Sequence, residues 1–322
     1  MKLEGTNKNI NVIKLNLLVV NFNLIIVRYG EIALKGKAVR KRFEDVLITN
    51  IKNALKMNNI SSKIEKEWGR IYICIDNVKE SIDILRKIFG IISISPALQT
   101  KSDMNSISKL SLKISKNKIN EKKSFAIRTT RTGIHDFSSQ DVSIKIGEDI
   151  VKKTNAKVNL TTPDFELFIE IRNDKAYLFT EKIRCIGGMP IGSQGNILAI
   201  LDSKSSILAS WYLMKRGCKI SFLVIKKTNL DVLKSFLNYW FVKPNYMFVG
   251  SKDKLKNKIK IITEKNNFNA IVTSHTIYDS SKNALSEIKQ LKKHINLPIL
   301  NPLISMNQEE INKKCMEIGL QI

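Results

Sequence analysis

The sequence predicts a multidomain protein in which α+β units precede an α/β domain with a parallel sheet. Three observations support this prediction. The chain has 322 residues, 43% of them hydrophobic, which is long for one domain and sufficient for two or three cores. Its first half contains strands of alternating polarity, as in half-buried antiparallel sheets. Beyond residue 196, apolar strands alternate with helices, which is typical of a parallel α/β layout.

The first unit begins at Leu24. A short apolar strand, LIIV, precedes a helix whose apolar residues recur at helical spacing. Next come a strand at 69–76, a helix at about 79–88, and a strand-like segment from Phe89. This βαββαβ order predicts a ferredoxin-like domain. We interpret residues 1–23 as an extension or a mis-set start, because their apolar run is too polar for a membrane span and has no cleavage site.

The second unit covers residues 124–180. It is predicted to contain a strand, a basic loop, a helix at about 138–153, a short strand and a hairpin. A Gly-rich hinge, Arg184 to Asn196, separates it from the α/β region. The last helix of that region is predicted to open at Asn307, because Glu310 follows at capping-box spacing.

The chain is strongly basic. It has 54 Lys and Arg against 29 Asp and Glu, a formal charge of +25 that is spread along the sequence. This indicates a polyanionic partner, although a merely solvated basic surface is the alternative. The cysteines lie far apart without a C-x-x-C pair, so they predict neither a disulfide framework nor a zinc site, and we expect a cytoplasmic protein.

Four ordered segments resemble the tRNA 4-thiouridine synthetase (tRNA sulfurtransferase) family. They are RYGEIALKGKAVRKRFE from Arg28, FGIISISPA from Phe89, RTTRTGIHDFSSQDVSIKIG from Arg128 and GGMPIGSQG from Gly187. The resemblance implies a ferredoxin-like domain, a THUMP domain that binds tRNA, and an ATP-pyrophosphatase-like (Rossmann-like) domain. We place the ferredoxin-like domain at 24–78, the THUMP domain at 79–184, a linker at 185–196 and the last domain at 197–322.

The two N-terminal domains supply candidate RNA contacts. A-form RNA is recognised mainly by shape and through phosphate and 2′-hydroxyl groups, so many cationic donors on a rigid face suit it better than base-reading side chains. The candidates are Arg28, Lys35, Lys37, Arg40, Lys41, Arg128 and Arg131.

The phosphate loop departs from the family's pattern. The family has S-G-G-x-D-S, because glycine amides at a helix N-terminus can close around pyrophosphate. The equivalent stretch here is LDSKSS, residues 201–206, in which Asp202 and Ser203 replace glycines, Ser205 replaces the aspartate and only Ser206 matches. The resemblance therefore implies a degenerate nucleotide site. Its positions are Ala199, Ile200, Lys204, Ser206, Lys252, Ser274 and Asn283.

No catalytic or metal-binding residue is predicted. His275 stands at a family glutamate position and is expected to be an incidental surface residue. Cys315 is expected to be a small buried hydrophobe. The chain ends at Ile322, before the position at which family members carry a cysteine that accepts persulfide sulfur.

Two functional hypotheses follow. The first is a tRNA-binding protein associated with tRNA thiolation that lacks its own adenylation and sulfur transfer and needs no cofactor; a separate active thiolation enzyme or sulfur carrier is a candidate partner. The second is a divergent but active sulfurtransferase that uses ATP, Mg²⁺ and an external sulfur donor. We expect no membrane association, and a homodimer remains open. A THUMP methyltransferase or deaminase fits worse, since their catalytic motifs do not occur.

Overall fold

The computed structural model describes residues 22–116, 118–225, 227–249, 255–278, 283–293 and 295–320. Most of the predicted extension, up to residue 21, lies outside the described residues, as does Lys252. The described residues form two compact units: one contains residues 22–25 and 95–181, and the other contains those between 26 and 94 and between 182 and 320. Among the described helices, none is both long and apolar enough to cross a membrane.

The N-terminal part has the predicted ferredoxin-like order. Its elements are β1 (Leu24–Tyr29), α1 (Lys37–Met57), β2 (Lys63–Glu67), β3 (Arg70–Cys74), α2 (Val78–Leu85) and β4 (Ile91–Lys101), with a 3-10 turn at Glu31–Leu34. The sheet order is β2-β3-β1-β4. One stripe of α1 is buried, as its apolar spacing predicts: Phe43, Leu47, Ile51, Ala54 and Leu55.

The structure extends this part beyond the predicted boundary at residue 78. Helix α2 packs against α1 and buries Val78, Ile82, Ile84 and Leu85. Because this apolar face is covered by α1, α2 belongs to the compact unit of residues 26–94 and not to the second α+β unit.

The second α+β unit is built on the sheet order β4-β8-β7-β5-β6. Its further elements are α3 (Met104–Ser115), β5 (Ser124–Thr132), α4 (Ser139–Thr154), β6 (Lys157–Val158), β7 (Phe165–Arg172) and β8 (Lys175–Phe179). The hairpin is confirmed, since β7 and β8 pair antiparallel. Helix α3 was not predicted; the side chain of Asp103 caps it by accepting from the amide of Ser106 at 2.9 Å.

The alternating pattern of β7 predicts a polar face that is exposed to solvent, but two residues of this face are buried. Glu170 and Arg172 are both buried, and Arg172 Nε donates to Glu170 Oε1 at 3.0 Å. Charges that leave water need a partner of opposite sign, and this contact supplies one. Sequence alternation identified the two faces of the strand but could not identify which of them packing would cover.

The Gly-rich segment before the α/β domain is a bonded connection and not a hinge. Strand β9 (Ile183–Arg184) pairs with β4. The amide of Gly90 donates to the carbonyl of Gly187 at 2.9 Å, and the amide of Met189 donates to the carbonyl of Lys215 at 2.9 Å. Since its backbone groups are used on both sides, the segment holds the ferredoxin-like part and the α/β domain within one compact unit.

The C-terminal part is the predicted parallel α/β domain. Its elements are β10 (Asn196–Leu201), α5 (Lys204–Lys215), β11 (Lys219–Val224), α6 (Thr228–Tyr239), β12 (Tyr246–Phe248), α7 (Leu255–Lys265), β13 (Ala270–Val272), α8 (Ala284–Lys292), β14 (Ile299–Leu300) and α9 (Gln308–Glu317). The capping box of α9 is confirmed, with Asn307 and Glu310 each bonded to the other's amide.

The central strand of this sheet is buried on both faces. Ile197, Ala199 and Leu201 of β10 pack into one core cluster, whereas Leu198 and Ile200 pack into another. This is what a near-continuous apolar run predicts for a parallel strand with helices on both sides.

The strand order β12-β11-β10-β13-β14 fixes where a site can form. All four strand pairs are parallel. The chain runs outward from β10 through β11 to β12, and then returns to β13 on the other side of β10. In open α/β sheets such a reversal leaves a crevice at the carboxyl ends of the two strands, and ligands bind there.

Two adjacent glycines of the connection allow a matched test of its role. Both have positive φ, but a Cβ on Gly188 would lie 2.3 Å from the carbonyl oxygen of Lys215, whereas a Cβ on Gly187 would meet nothing within 4 Å. We expect Gly187→Ala to lower the free energy of unfolding by about 1 kcal/mol, the left-handed penalty alone. Gly188→Ala should cost about 3 kcal/mol or more, because backbone must move. Urea unfolding measures both, and equal losses would contradict the packed connection.

Candidate functional site

Two serine hydroxyls donate to one carboxylate at the carboxyl end of β10, and a third serine hydroxyl lies beside them. Ser206 Oγ donates to Asp202 Oδ1 at 2.6 Å, and Ser274 Oγ, from the segment after β13, donates to the same oxygen at 3.4 Å. Ser203 Oγ lies 3.3 Å from Ser206 Oγ and 3.4 Å from Ser274 Oγ. The two sides of the crevice are thus joined by side chains of this loop. We call these four residues the serine cluster.

The position of Asp202 has an electrostatic reason. Helix α5 begins two residues later, and the first amides of a helix have no intrahelical partner and favour negative charge. The amides of Asp202 and Ser203 point to Ser206 Oγ, at 3.4 and 3.3 Å, and Asn229 Nδ2 donates to the carbonyl of Asp202 at 3.1 Å. The carboxylate therefore supplies the negative charge that this helix end favours.

His275 lies on the other side of the crevice and is fixed by its contacts. Its Nδ1 is 2.7 Å from Thr273 Oγ1, and its Nε2 is 3.0 Å from Glu287 Oε2 of α8. The prediction that His275 is an incidental surface residue is wrong. The His275 side chain is only 19% exposed, because packing brings α8 to the end of β13.

These contacts form a chain of polar side chains. His275 Nε2 faces the Glu287 carboxylate and Nδ1 faces Thr273 Oγ1. Thr273 Oγ1 also contacts Asn301 Oδ1. The chain ties β13 to α8 and to the segment after β14.

The structure distributes the other predicted nucleotide positions over different environments. Ala199 and Ile200 are buried in the two cores, so their side chains do not reach the crevice. Asn283 caps α8 by accepting from the amide of Ser286 at 3.0 Å. Lys204 is the first residue of α5 and is half-buried. Among the predicted positions that the structure describes, Ser206 and Ser274 are in direct contact, with their Oγ atoms 3.3 Å apart.

The cysteines near these elements are poor nucleophiles. Burial raises the pKa of Cys315 to about 11, and the charge of Lys204 offsets this only partly. Cys315 is 1% exposed, which confirms it as a buried hydrophobe. Burial also raises the pKa of Cys185 to about 12. Within the described residues no three His, Cys, Asp or Glu side chains group as metal ligands.

The predicted RNA contacts in the ferredoxin-like part differ in how exposed they are and in whether they already contact other side chains. Lys35, Lys37 and Lys41 are exposed. Arg40 is engaged: its Nε is 4.0 Å from Glu44 Oε1, and its guanidinium lies 5.6 Å from the ring centre of Trp68. Arg28 is half-buried on β1.

Trp68 is a surface residue that sequence reasoning missed. It lies at the turn between β2 and β3 and is 68% exposed. The available signal was an aromatic residue directly before a turn glycine, Gly69, in an otherwise charged stretch. Exposed aromatic rings offer a face on which bases stack.

Arg128 and Arg131 lie on β5 of the second unit and have different roles. Arg128 Nε donates to Glu166 Oε1 at 2.9 Å and its Nη2 donates to the carbonyl of Leu160 at 2.6 Å, so it braces the neighbouring strand and loop. Arg131 is exposed. Since they are three residues apart on one strand, their side chains point to opposite faces, and a single contact patch of both is not expected.

A histidine holds Arg131 in place. His135 Nε2 lies 2.6 Å from the carbonyl oxygen of Asn173, which can only accept, so this nitrogen carries the proton. Nδ1 of the neutral ring then accepts from Arg131 Nη1 at 3.3 Å. Arg131 Nη1 also donates to the carbonyl of Gly133 at 3.2 Å, so two contacts position this exposed guanidinium.

The chain is a THUMP-domain protein by its domain matches. Family models match at residues 24–95 (ThiI ferredoxin-like domain), 101–181 (THUMP domain) and 231–321 (Thiamine biosynthesis protein, ThiI). The three matches follow the three parts of the fold in order.

Similarity to whole proteins narrows this class. The chain is 32% identical over 351 residues to a probable tRNA sulfurtransferase of Methanocaldococcus jannaschii, covering 97% of this chain and 90% of that protein. It is 31% identical to the corresponding Methanobrevibacter smithii protein, covering 90% and 85%. The chain therefore belongs to the tRNA sulfurtransferase family, as its sequence motifs indicated.

Solved structures confirm the fold class. PH1313 from Pyrococcus horikoshii is 32% identical with a TM-score of 0.79, covering 92% of this chain and all of that one. A 4-thiouridine synthetase, solved as an RNA complex with bound ATP, is 26% identical with a TM-score of 0.77, covering 93% and 85%. The ferredoxin-like, THUMP and parallel α/β domains predicted from the sequence are all present.

The serine cluster makes a prediction about stability. Asp202→Ala removes the acceptor for Ser206 and Ser274 and the negative charge at the start of α5, and should lower the free energy of unfolding by about 1 kcal/mol. Asp202→Asn keeps an acceptor oxygen and should cost less. Urea unfolding of both variants measures the difference; an alanine variant as stable as the wild type would show that the carboxylate contributes nothing.

Proposed function

We propose that the protein binds tRNA and takes part in tRNA thiolation without its own ATP-dependent adenylation and sulfur transfer. The observation that carries this proposal is the serine cluster. The Asp202 carboxylate lies at the start of α5, where a nucleotide phosphate would otherwise approach, and accepts from Ser206 and Ser274.

Electrostatics supports the loss of nucleotide binding. A phosphate within about 4 Å of the Asp202 carboxylate would be disfavoured by about 4 kcal/mol at a surface-like dielectric. A hydrogen bond to a charged group contributes only about 1.5–3 kcal/mol. The repulsion therefore exceeds what one new contact to the helix amides returns.

Backbone geometry supports it as well. A phosphate cradle needs outward-facing amides, which glycines permit because they carry no Cβ. No glycine lies between Gly195 and Gly217, and the amides of Asp202 and Ser203 point to Ser206 Oγ. The ThiI family match also begins only at residue 231, beyond this loop. A bound ATP and Mg²⁺ are therefore not part of the proposed function.

The N-terminal half supports tRNA as the partner. The THUMP match, the formal charge of +25, and the similar 4-thiouridine synthetase solved with RNA all point to this ligand. Exposed Lys35, Lys37, Lys41 and Arg131 are suitable phosphate donors. A separate active thiolation enzyme or a sulfur carrier would then complete the reaction on tRNA held by this protein.

A divergent but active tRNA sulfurtransferase is the second candidate. Lys204 and Ser206 on the first turn of α5 keep one cation and one hydroxyl near the crevice, and the curated relatives are similar over most of their length. Activity would require ATP and Mg²⁺ to displace the Asp202 contacts and an external donor to supply sulfur.

ATP–pyrophosphate exchange in the presence of tRNA separates the two candidates. We expect no exchange by the wild type, because the phosphates are repelled and lack a cradle. Asp202→Gly combined with Ser203→Gly should not create exchange either, since Ser205 still replaces the loop aspartate. An active 4-thiouridine synthetase serves as the positive control. Robust exchange by the wild type would establish the second candidate, and exchange by the double variant alone would show that the loop glycines are the whole defect.

The tRNA-binding prediction uses the different environments of the two arginines. Arg131→Glu should weaken tRNA binding severalfold and reduce the salt slope of the binding constant by about 1, because one phosphate contact is lost. Lys122→Glu, an equal charge change at an exposed position of the same unit, should have a smaller effect. Filter binding at several salt concentrations measures both, and equal effects would remove Arg131 from the interface.

Arg128 is unsuited to the same comparison. Arg128→Glu would place two carboxylates side by side, because Glu166 is its partner at 2.9 Å. Loss of binding by this variant would therefore report on the fold of the unit as much as on RNA contact. Its unfolding midpoint must be measured together with its affinity.

A further inference from the structure

A preformed groove lies within the compact unit that contains the ferredoxin-like part and the α/β domain. It encloses about 830 Å³ between the last turns of α1, the connection at residues 191–192 and the segment 240–244 that follows α6. This volume is in the range of small-ligand sites. Its apolar lining contains two groups of residues. Ala54, Phe89 and Trp240 are buried behind the surface. Met57, Val242 and Pro244 are more exposed and form the accessible apolar wall.

The rim of the groove is polar and cationic. It is formed by Asn50, Asn53, Lys56, Lys219 and Lys243, and no carboxylate lines this part. A second basin of about 680 Å³ adjoins it and shares Asn50, Ile191, Gly192 and Lys219 as lining residues. The second basin adds Lys41, Arg42 and one carboxylate, Asp45.

The groove is held in shape by contacts beneath it. Asn50 Nδ2 donates to the carbonyl of Ile191 at 3.1 Å, and Trp240 Nε1 donates to the carbonyl of Ile318 at 3.1 Å. The rings of Phe89 and Trp240 stack with centres 5.2 Å apart. Phe241 has a φ of 54°, a strained conformation for a bulky residue that persists only where its surroundings enforce it. A site with this shape before binding loses little entropy on binding.

The apolar wall and the cationic rim of the groove together suit an unpaired nucleotide. An apolar wall accepts the flat face of a base, side-chain amides can bond its edges, and lysines pair with the flanking phosphates. Double-stranded RNA cannot use the apolar end, because its bases are stacked and paired. The second basin is lined by Lys41 of α1, an exposed residue that is a predicted RNA contact.

An acidic peptide is the other polyanion that the rim could attract. The amides of Asn50 and Asn53 beside the apolar end favour a base, whose edge offers several donors and acceptors. The adjoining basin contains Lys41 of α1, which is a predicted RNA contact, and this also favours RNA as the ligand.

We propose that this groove binds an unpaired segment of the RNA, with one base against the apolar wall and its phosphates along Lys219, Lys243 and the second basin. The proposal rests on the proposed function, in which RNA is the partner. It adds a single-strand site to the duplex-directed cations of the N-terminal half.

A steric variant tests the proposal with a control one residue away. Asn53 is exposed and lines the groove, so Asn53→Trp fills its apolar end, whereas Lys52→Trp places the same ring on an exposed position of α1 that does not line it. The probes are an RNA hairpin with a short unpaired tail and the same hairpin without the tail. Fluorescence anisotropy measures affinity, and urea unfolding verifies that both variants fold.

The expected pattern is specific to the tail. The wild type should bind the tailed hairpin about tenfold more tightly than the blunt one, because the tail adds one base contact and its flanking phosphates. Asn53→Trp should abolish this preference, and Lys52→Trp should retain it. A wild type that binds both hairpins equally, or an Asn53→Trp variant that keeps the preference, would overturn the groove proposal. If the wild type bound neither hairpin nor tRNA, the proposed function itself would fail.

Charge-reversal variants and competing ligands provide a second test of what the groove binds. Lys219→Glu with Lys243→Glu should reduce the tail preference and its salt dependence, whereas Lys258→Glu with Lys260→Glu, equal changes at exposed positions of α7, should not.

Uridine monophosphate and a polyglutamate peptide are titrated as competitors. Displacement of the tail by polyglutamate at lower concentration than by tailed RNA would assign the groove to an acidic protein segment. Saturable binding of the mononucleotide without any tail preference would assign it to a free nucleotide, and either result overturns the proposal.

Discussion

The Asp202 carboxylate accepts from the hydroxyls of Ser206 and Ser274 and so links the two sides of the crevice in the α/β domain. It joins the ends of β10 and β13, the two strands between which the sheet reverses its order. A helix N-terminus at such a point favours an anion, and here the protein's own side chain provides one. In our proposal this carboxylate lies where a phosphate would bind, so the protein binds RNA without its own adenylation.

The same domain keeps its framework because its stability comes from elsewhere. β10 is buried on both faces by two clusters, and the aromatic group of Phe89, Trp211 and Trp240 continues the core across the compact unit. The hydrogen bonds described above for the serine cluster involve none of these side chains. A ligand loop can therefore change while the sheet, the helices and the docking of the ferredoxin-like part persist, since core packing depends on apolar volume and the site depends on a few polar groups.

The basic charge of the chain divides into side chains with different tasks. Arg40, Arg128 and Arg172 each lie beside a carboxylate, and these contacts stabilise the fold locally. Lys35, Lys37 and Lys41 are exposed and remain suited to phosphate. Net charge therefore identifies the class of partner better than it identifies the contact residues, because many cations are already paired within their own unit.

The sequence alone determined the parallel sheet of the last domain and most strands and helices, although not α3, because periodicity and caps are local properties. The α9 capping box and the β7–β8 hairpin are examples. Tertiary structure decided what depends on distant segments meeting: Ser274 against Asp202, His275 against Glu287, the burial of Glu170, and the groove between α1 and residues 240–244. Residues so far apart in the chain carry no sequence signal of their contact, since only packing of the complete core brings them together.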